Sequence, residues 1–297
     1  MSRFPKRALK ATETFFPPVL ARFLADLETT KTTEDVWDLI VGLSTAYGLP
    51  IVDYVYATDY RNWERAQFIR TTLPGEWLEE VQKRPLIRHT SVFRMHGCVH
   101  LTPVVIGSEF LPEIEPVSDD KRDHIMIGDA MGLKSGLAIP LRMGDPGQAG
   151  LIAFGGPHRR DKFLSMLPEI GWVLHSAALS AHARYTELFK LEFIGRNQLT
   201  PKHKELIQLV GQGLMDKEIA HILGITFSAV RQRLVAVQAK TGTRNRAELA
   251  ALAQRVGLID DPMLRTHEDD LTIFITTGDG TSGTELRRPT PGTEAAE

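Results

Sequence analysis

Between Leu199 and Gly257 the chain carries helix start and stop signals spaced so closely that only short, tightly connected helices fit. Thr200 and Pro201 supply an N-cap and a rigid first helical residue ahead of apolar Leu206, Leu209 and Val210, and Gly211 and Gly213 close that helix. A second helix is expected from Asp216, with Ile219, Ala220, Ile222 and Leu223 facing inward. Gly224 then supplies a turn, and Thr226 opens a third helix reaching about Lys240. Asn245, with Glu248 three residues on, marks the start of a fourth, whose Leu249, Leu252 and Ala253 cover the other three. Helix, short glycine turn, helix is the helix-turn-helix layout, here inside an all-α four-helix unit.

The third helix has the chemistry of a nucleic-acid reader. Thr226, Phe227, Ser228 and Ala229 are small or apolar side chains able to approach base edges. Arg231, Gln232 and Arg233, one turn further, can reach guanine edges or phosphate oxygens. No acidic residue interrupts it. Residues 199–258 hold nine Lys/Arg against four Asp/Glu in a chain whose formal net charge is −2, so positive charge is concentrated where a phosphate backbone would lie. Lys217, Lys240, Arg244 and Arg246 are the candidates for added phosphate grip. A basic, solvated helical bundle is the plainer alternative, but the turn spacing, the caps and the acid-free third helix together argue against it.

Ahead of this unit, residues 1–190 mix the two periods. Val19–Leu27 and Thr33–Tyr47 pattern as amphipathic helices, Leu49–Ala57 as a strand ended by Thr58-Asp59, and Pro74 starts a helix containing Trp77 and Leu78. Ser118 is expected to cap a helix to Met131, which Gly132 stops. Gly136–Arg142 and Ala149–Phe154 read as strands joined across Gly144-Asp145-Pro146-Gly147, and a long helix runs from about Asp161 to Lys190. Helices before, between and after antiparallel strands predict an α/β unit, an α-β-α sandwich with a pocketed core. Residues 191–198 are the expected linker. The chain has 297 residues and 42% apolar content, enough for one large core and a small satellite. MSRFPKRALKATETFF lacks an apolar signal-peptide core, and no apolar run approaches a membrane span. A cytoplasmic address is the expectation, and lone Cys98 excludes an internal disulfide framework.

Residues 199–257 as a whole resemble the C-terminal DNA-binding domain of the LuxR-type bacterial transcription factors. The resemblance rests on Leu199-Thr200-Pro201, Glu205, Gly213, Lys217-Glu218-Ile219-Ala220, Leu223-Gly224-Ile225, Val230-Arg231, Lys240 and Arg244-Asn245-Arg246-Ala247. The chain departs from the pattern at Arg233, where the family usually has His, and at Ala229, where Thr or Ser is common. The N-terminal part resembles the family's autoinducer-binding domain through Pro74, Trp77, Val92 and the run Gly132-Leu133-Lys134-Ser135-Gly136-Leu137-Ala138-Ile139-Pro140. The resemblance implies that Trp77 donates to a ligand's lactone carbonyl. Where the family places its other polar contacts, this chain has Leu73 and Val81 for two Tyr and Thr90-Ser91 for an Asp-Pro pair. A neutral hydroxyl replacing a charged acceptor loses roughly 1–2 kcal/mol. The expected pocket is thus more apolar than usual, lined by Trp77, Leu73, Val81 and Thr90, with Trp77 supplying the single hydrogen bond and a standard acyl-homoserine lactone disfavoured.

Other features carry less. His96-Gly97-Cys98-Val99-His100 would gather two imidazoles and a thiol if extended, but no fourth ligand is near, and no metal or cofactor is expected. The Lys121-Arg122 and His158-Arg159-Arg160 clusters read as solvated helix ends. Residues 259–297, with nine Asp/Glu and three Lys/Arg, read as a largely disordered acidic extension. Its one apolar run, Leu271–Ile275, reads as a lone strand or a sticky element. Ser135 lacks a nucleophile elbow and no P-loop, metallohydrolase or dinucleotide motif occurs, so no catalytic residues and no enzyme are expected. The resulting expectation is a homodimeric LuxR-type regulator of an inverted-repeat operator on double-stranded DNA, holding a small apolar signal molecule or none and making no membrane contact. The alternatives are an acyl-homoserine-lactone-responsive quorum-sensing regulator and a ligand-free one acting by hetero-dimerisation with a relative.

Overall fold

A computed structural model describes residues 17–57, 66–77, 79, 92–114, 117–141, 149–259, 272–275 and 284–287. The chain divides into two compact units, Met1–Phe189 and Lys190–Glu297.

The first unit opens with two helices, α1 (Pro18–Thr29) and α2 (Thr33–Ala46). Proline in the first turn starts α1, and Leu20, Phe23 and Leu27, one turn apart, form its buried stripe. In α2 the Thr32 hydroxyl accepts from the Asp35 amide while the Asp35 carboxylate accepts from the Thr32 and Lys31 amides, a reciprocal cap. Those amide donors, Lys31 first, hold the Asp35 carboxyl below its ordinary range.

Five strands form one antiparallel sheet: β1 (Ile51–Ala57), β2 (Ala66–Thr71), β3 (Val104–Ile106), β4 (Ser135–Leu141) and β5 (Ala149–Gly156), in the order β2-β1-β5-β4-β3. Helices α3 (Val92–Val99), α4 (Leu111–Ile114) and α5 (Asp119–Ala130) fall between β2 and β4, and α6 (Arg160–Arg196) follows β5. Side chains alternate across the pleat. Val52, Tyr54 and Tyr56 of β1, Leu137 and Ile139 of β4 and Ile152 and Phe154 of β5 join the large core with α1, α2 and α6. Ala138, Leu151 and Ala153 point the other way, into a smaller cluster with Ile106, Phe93 and Leu133. Helices thus cover both faces of an antiparallel sheet, the α-β-α arrangement expected.

Several local expectations shift. Strands β2 and β3 were invisible to pattern: β2 is an edge strand with polar Gln67 and Arg70, and β3 is too short to show alternation. Ser118 occupies the N-cap of α5, but its side chain makes no capping bond. Met131 is the C-cap residue, and Gly132 turns the chain at φ 97°. The long helix reaches Arg196, so most of the segment expected as a linker is helical. Phe193 and Ile194 explain this: they pack on the second unit's core, and Arg196 pairs with Glu192 at 3.1 Å. The turn expected at residues 144–147 lies outside the described residues, as do Thr58-Asp59 and Leu78.

The second unit contains α7 (Pro201–Gly211), α8 (Asp216–Leu223), α9 (Phe227–Thr241) and α10 (Arg246–Arg255) around a core that includes Leu206, Ile207, Ile219, Val230, Val237 and Leu249. Its caps are those the residues dictate. Thr200 accepts from the His203 amide, Thr226 from Ala229 and Asn245 from Glu248, and Gly224 adopts the left-handed conformation at φ 61° that ends α8. Ile222, expected to face inward, is 54% exposed. An eight-residue helix turns only one side to its neighbours, and Ile219, fully buried, takes it. In the tail, β6 (Thr272–Ile275) pairs with β7 (Thr284–Arg287) as a separate antiparallel ribbon, so the apolar run has a strand partner from its own extension rather than the edge of the large sheet.

Candidate ligand pocket and nucleic-acid interface

On the face of the sheet away from α1, α2 and α6 lies an open cleft of about 620 Å³ of non-atom space, solvent at its mouth included. Its floor is Asp53 of β1 with Leu151 and Ala153 of β5. Its other walls include Leu73, Phe93, Ile106 and Leu133. Trp77, in the helical turn at residues 75–77, stacks on His124 of α5, with ring centroids 4.5 Å apart and planes tilted by 37°. Gly128 sits where this stack presses on α5: a Cβ there would approach Trp77 Cζ3 at 3.9 Å.

Trp77 and Leu73 therefore line one cleft, as expected, and Leu73 is buried and apolar in its wall. Val81, Thr90 and Ser91 lie outside the described residues. The expectation of a pocket whose only polar contact is Trp77 does not hold, because Asp53 and His124 also line it. The sequence carried a signal for Asp53, one carboxylate in the otherwise apolar and aromatic strand Ile51–Ala57; nothing local marks His124. Ser135 is fully buried and its hydroxyl donates to the His158 carbonyl at 2.8 Å, a structural role at the entry to β4. Residues 92–99 are helical rather than extended. His96 and His100 consequently lie one turn apart with centroids 4.6 Å apart, and His96 Nε2 is engaged with the Thr102 carbonyl at 2.7 Å. Among the described residues no group of three or more potential metal ligands gathers.

The second unit presents α9 beyond the left-handed turn at Gly224. Phe227, Ser228, Arg231 and Gln232 are exposed, and their i, i+4 spacing places Phe227 with Arg231 and Ser228 with Gln232 on adjoining stripes of one face. The Arg231 guanidinium lies 5.3 Å from the Phe227 ring centroid, an arrangement that extends the cation along the helix. Thr226 is exposed, but its hydroxyl is spent on the cap. Arg233 is half-buried. With Lys240 it adds positive potential near His203, and the His203 pKa is lowered by desolvation first and then by Lys240 and Arg233.

The remaining cations divide. Lys217 is exposed at the start of α8. Arg246 is half-buried; it pairs with Asp216 at 2.5 Å and donates to the Leu214 carbonyl, tying the start of α8 to α10. Arg244 pairs with Glu248 at 2.7 Å, which raises the guanidinium pKa and lowers the carboxyl pKa. Lys240 Nζ donates to the Gln198 carbonyl at 2.7 Å. Composition placed all four on a phosphate-facing surface; the fold gives three of them partners within the unit.

Comparison with known proteins matches both units. A family model described as "Autoinducer binding domain" covers residues 32–183, and one described as "Bacterial regulatory proteins, luxR family" covers residues 197–253. Over 128 residues the chain is 34% identical to the HTH-type quorum sensing-dependent transcriptional regulator RpaR of Rhodopseudomonas palustris, a stretch that is 43% of this chain and 50% of that protein. Over 139 residues it is 30% identical to the transcriptional activator protein AhyR of Aeromonas hydrophila, 46% of this chain and 53% of that protein. The chain spans about half the length of these curated relatives. Among solved structures, Escherichia coli SdiA aligns over 82% of this chain and 98% of its own at 19% identity, with a TM-score of 0.47.

Proposed function

The chain belongs to the autoinducer-binding, LuxR-type family of bacterial regulators, and on that premise we propose that it binds double-stranded DNA as a homodimer and controls transcription. The observation that carries this reading is α9: a capped helix set off by a left-handed glycine turn, with Phe227, Ser228, Arg231 and Gln232 displayed outward and no acidic side chain among them. Such a helix enters the major groove, and two copies related by a two-fold axis read half-sites about one helical turn apart. Arg231 and Gln232 are the base-reading pair, with Arg233 beside them. Lys217, Lys240 and Arg244 are the exposed cations available to phosphate, while Arg246 chiefly ties α8 to α10.

Residues 1–190 serve as the sensor and dimerisation domain, residues 199–258 as the DNA-binding domain and residues 259–297 as an acidic extension. The protein works in the cytoplasm and is not an enzyme; among the described residues no helix is long and apolar enough to cross a membrane. The cleft on the sheet holds a small, mainly apolar signal molecule. Leu73, apolar in the wall at a position where the family offers a hydroxyl, leaves a lactone ring one hydrogen bond short, so standard acyl-homoserine lactones are poor ligands.

The test is selection of DNA sequences from a random pool by the purified chain, followed by salt-dependent titration. An enriched inverted repeat, bound with affinity that falls steeply with salt, is the expected result. Arg231→Ala costs roughly 1–3 kcal/mol on the selected site and much less on random DNA. Recovery of no common sequence refutes the reading.

A further inference from the structure

Phe227, the first residue of α9, is 43% exposed, and the core of the second unit forms without it. Its backbone is fixed all the same, because the Thr226 hydroxyl accepts from the Ala229 amide and orders the first turn of the helix. One turn on, the Arg231 guanidinium lies over the Phe227 ring, its carbon 5.3 Å from the centroid. Among the described residues the ion pairs of this unit use Arg196, Arg244 and Arg246 and leave Arg231 out. The N–H donors of Arg231 are therefore not committed to an acidic side chain, and the aromatic ring is what supports the guanidinium.

Residues at the start of a reading helix are those that reach base edges in the major groove. A guanidinium reads guanine there by donating to O6 and N7 together, which brings its plane into the plane of that base. A ring packed against the face of the guanidinium is then displaced along the DNA axis, to the level of the neighbouring base pair. A phenyl ring has no donor or acceptor, so at that level it has one favourable partner, the C5-methyl group of thymine. The other major-groove edges carry polar atoms that the ring would desolvate without a hydrogen bond in return. We propose that Phe227 and Arg231 act as one element reading a two-base step, Arg231 taking a guanine and Phe227 the methyl group of a thymine in the adjoining base pair. The inference rests on the regulator reading above and names the operator chemistry that α9 selects. Phe227 is the specificity residue at the thymine and, by bracing the guanidinium, a positioning residue at the guanine.

The test uses the full chain and the half-site recovered by selection from a random pool, in which a guanine next to a thymine-containing base pair is expected at a fixed place. Replacing that thymine by deoxyuridine removes only the methyl group and should weaken binding about fourfold, the factor for one buried methyl. Phe227→Ala should bind the thymine and deoxyuridine sites equally and discriminate less sharply at the guanine, because the guanidinium has lost its support. A substitution that acted through folding alone would weaken both sites together and keep their ratio. A selected half-site without the step, deoxyuridine bound as tightly as thymine, or a Phe227→Ala variant that keeps the discrimination overturns the proposal. Should the variant fail to fold, the thymine-to-deoxyuridine ratio on the unaltered chain decides by itself. Failure to select any common sequence refutes the regulator reading, whereas a selected inverted repeat indifferent to the methyl group refutes the two-base step alone.

Discussion

His182 on α6 makes the stability of the first unit depend on mild acid. The residue is 2% exposed, inside the core formed by α1, α2, α6 and the sheet. The Tyr54 hydroxyl and His182 Nδ1 share a hydrogen bond at 2.7 Å, and Nε2 is buried with no hydrogen-bond partner among the described residues, so a second ring proton would have no acceptor and the imidazole is held neutral. Tyr54, Tyr56 and Tyr185 crowd around it. Burial pushes its pKa down to about 4. In the unfolded chain the ring titrates near 6.5, so below that pH the unfolded state takes up a proton that the folded state refuses. The sign follows: the contribution is complete above pH 6.5, declines as pH falls from 6.5 to 4, and is flat below. Its size is about 2 kcal/mol between pH 7 and pH 5, from about 1.4 kcal/mol per pH unit of separation. The assay is urea denaturation at pH 7 and pH 5 of the unaltered chain and of His182→Asn, whose side-chain oxygen can still accept from Tyr54. The variant is destabilised at pH 7 yet loses about 2 kcal/mol less on acidification. Equal losses in the two proteins would show that His182 is not held neutral by burial and would refute the reasoning.

Three further outcomes follow from the same geometry. Arg246→Ala, which removes the Asp216 pair and the bond to Leu214 in a partly exposed site, should cost about 1–2 kcal/mol in denaturant unfolding of the second unit, whereas Arg231→Ala should change its stability by less than about 0.5 kcal/mol. If the order is reversed, the structural role given to Arg246 is wrong. Standard acyl-homoserine lactones should leave the melting temperature unchanged, because Leu73 cannot hydrogen-bond to the head group. A saturable stabilisation of about 2.7 kcal/mol at a hundred times the dissociation constant, lost in Trp77→Phe, would contradict this. Removing residues 259–297, with their nine acidic against three basic side chains, should tighten nonspecific DNA binding most at low salt. Equal affinities at low salt would make the extension electrostatically passive.

The four-helix second unit was largely legible in the sequence, for a physical reason. Its helices are short, and each begins or ends on a side chain whose chemistry acts on its immediate neighbours: Thr200 on the His203 amide, Gly224 in a left-handed turn, Asn245 on the Glu248 amide. Signals confined to three or four residues survive without knowledge of the fold. The same locality located the exposed stripe of α9, since exposure along a helix follows from its spacing. What charge counting could not decide was which cations remain available. Arg246 and Lys240 find partners 30 and 42 residues away, at Asp216 and Gln198, and only the meeting of α10 with α8 and of α9 with the segment ahead of α7 brings those groups together.

The first unit shows the opposite balance. Its helix-and-strand alternation and the place of Trp77 came from the residues themselves. The sheet order β2-β1-β5-β4-β3 did not, because it joins strands far apart in sequence. That order puts Asp53 against Ala153 and sets the Trp77–His124 stack over the same space, turning a pocket expected to be apolar into one with a carboxylate floor. It also buries His182 against Tyr54, 128 residues distant. The sequence by itself determined the main helices and the strands β1, β4 and β5, since those signals are set by neighbours within a turn or a pleat, but not the edge strands β2 and β3 or the outward turn of Ile222. Only the tertiary structure decided which polar side chains lose water and which partner they meet, because burial and cross-strand register depend on the whole sheet.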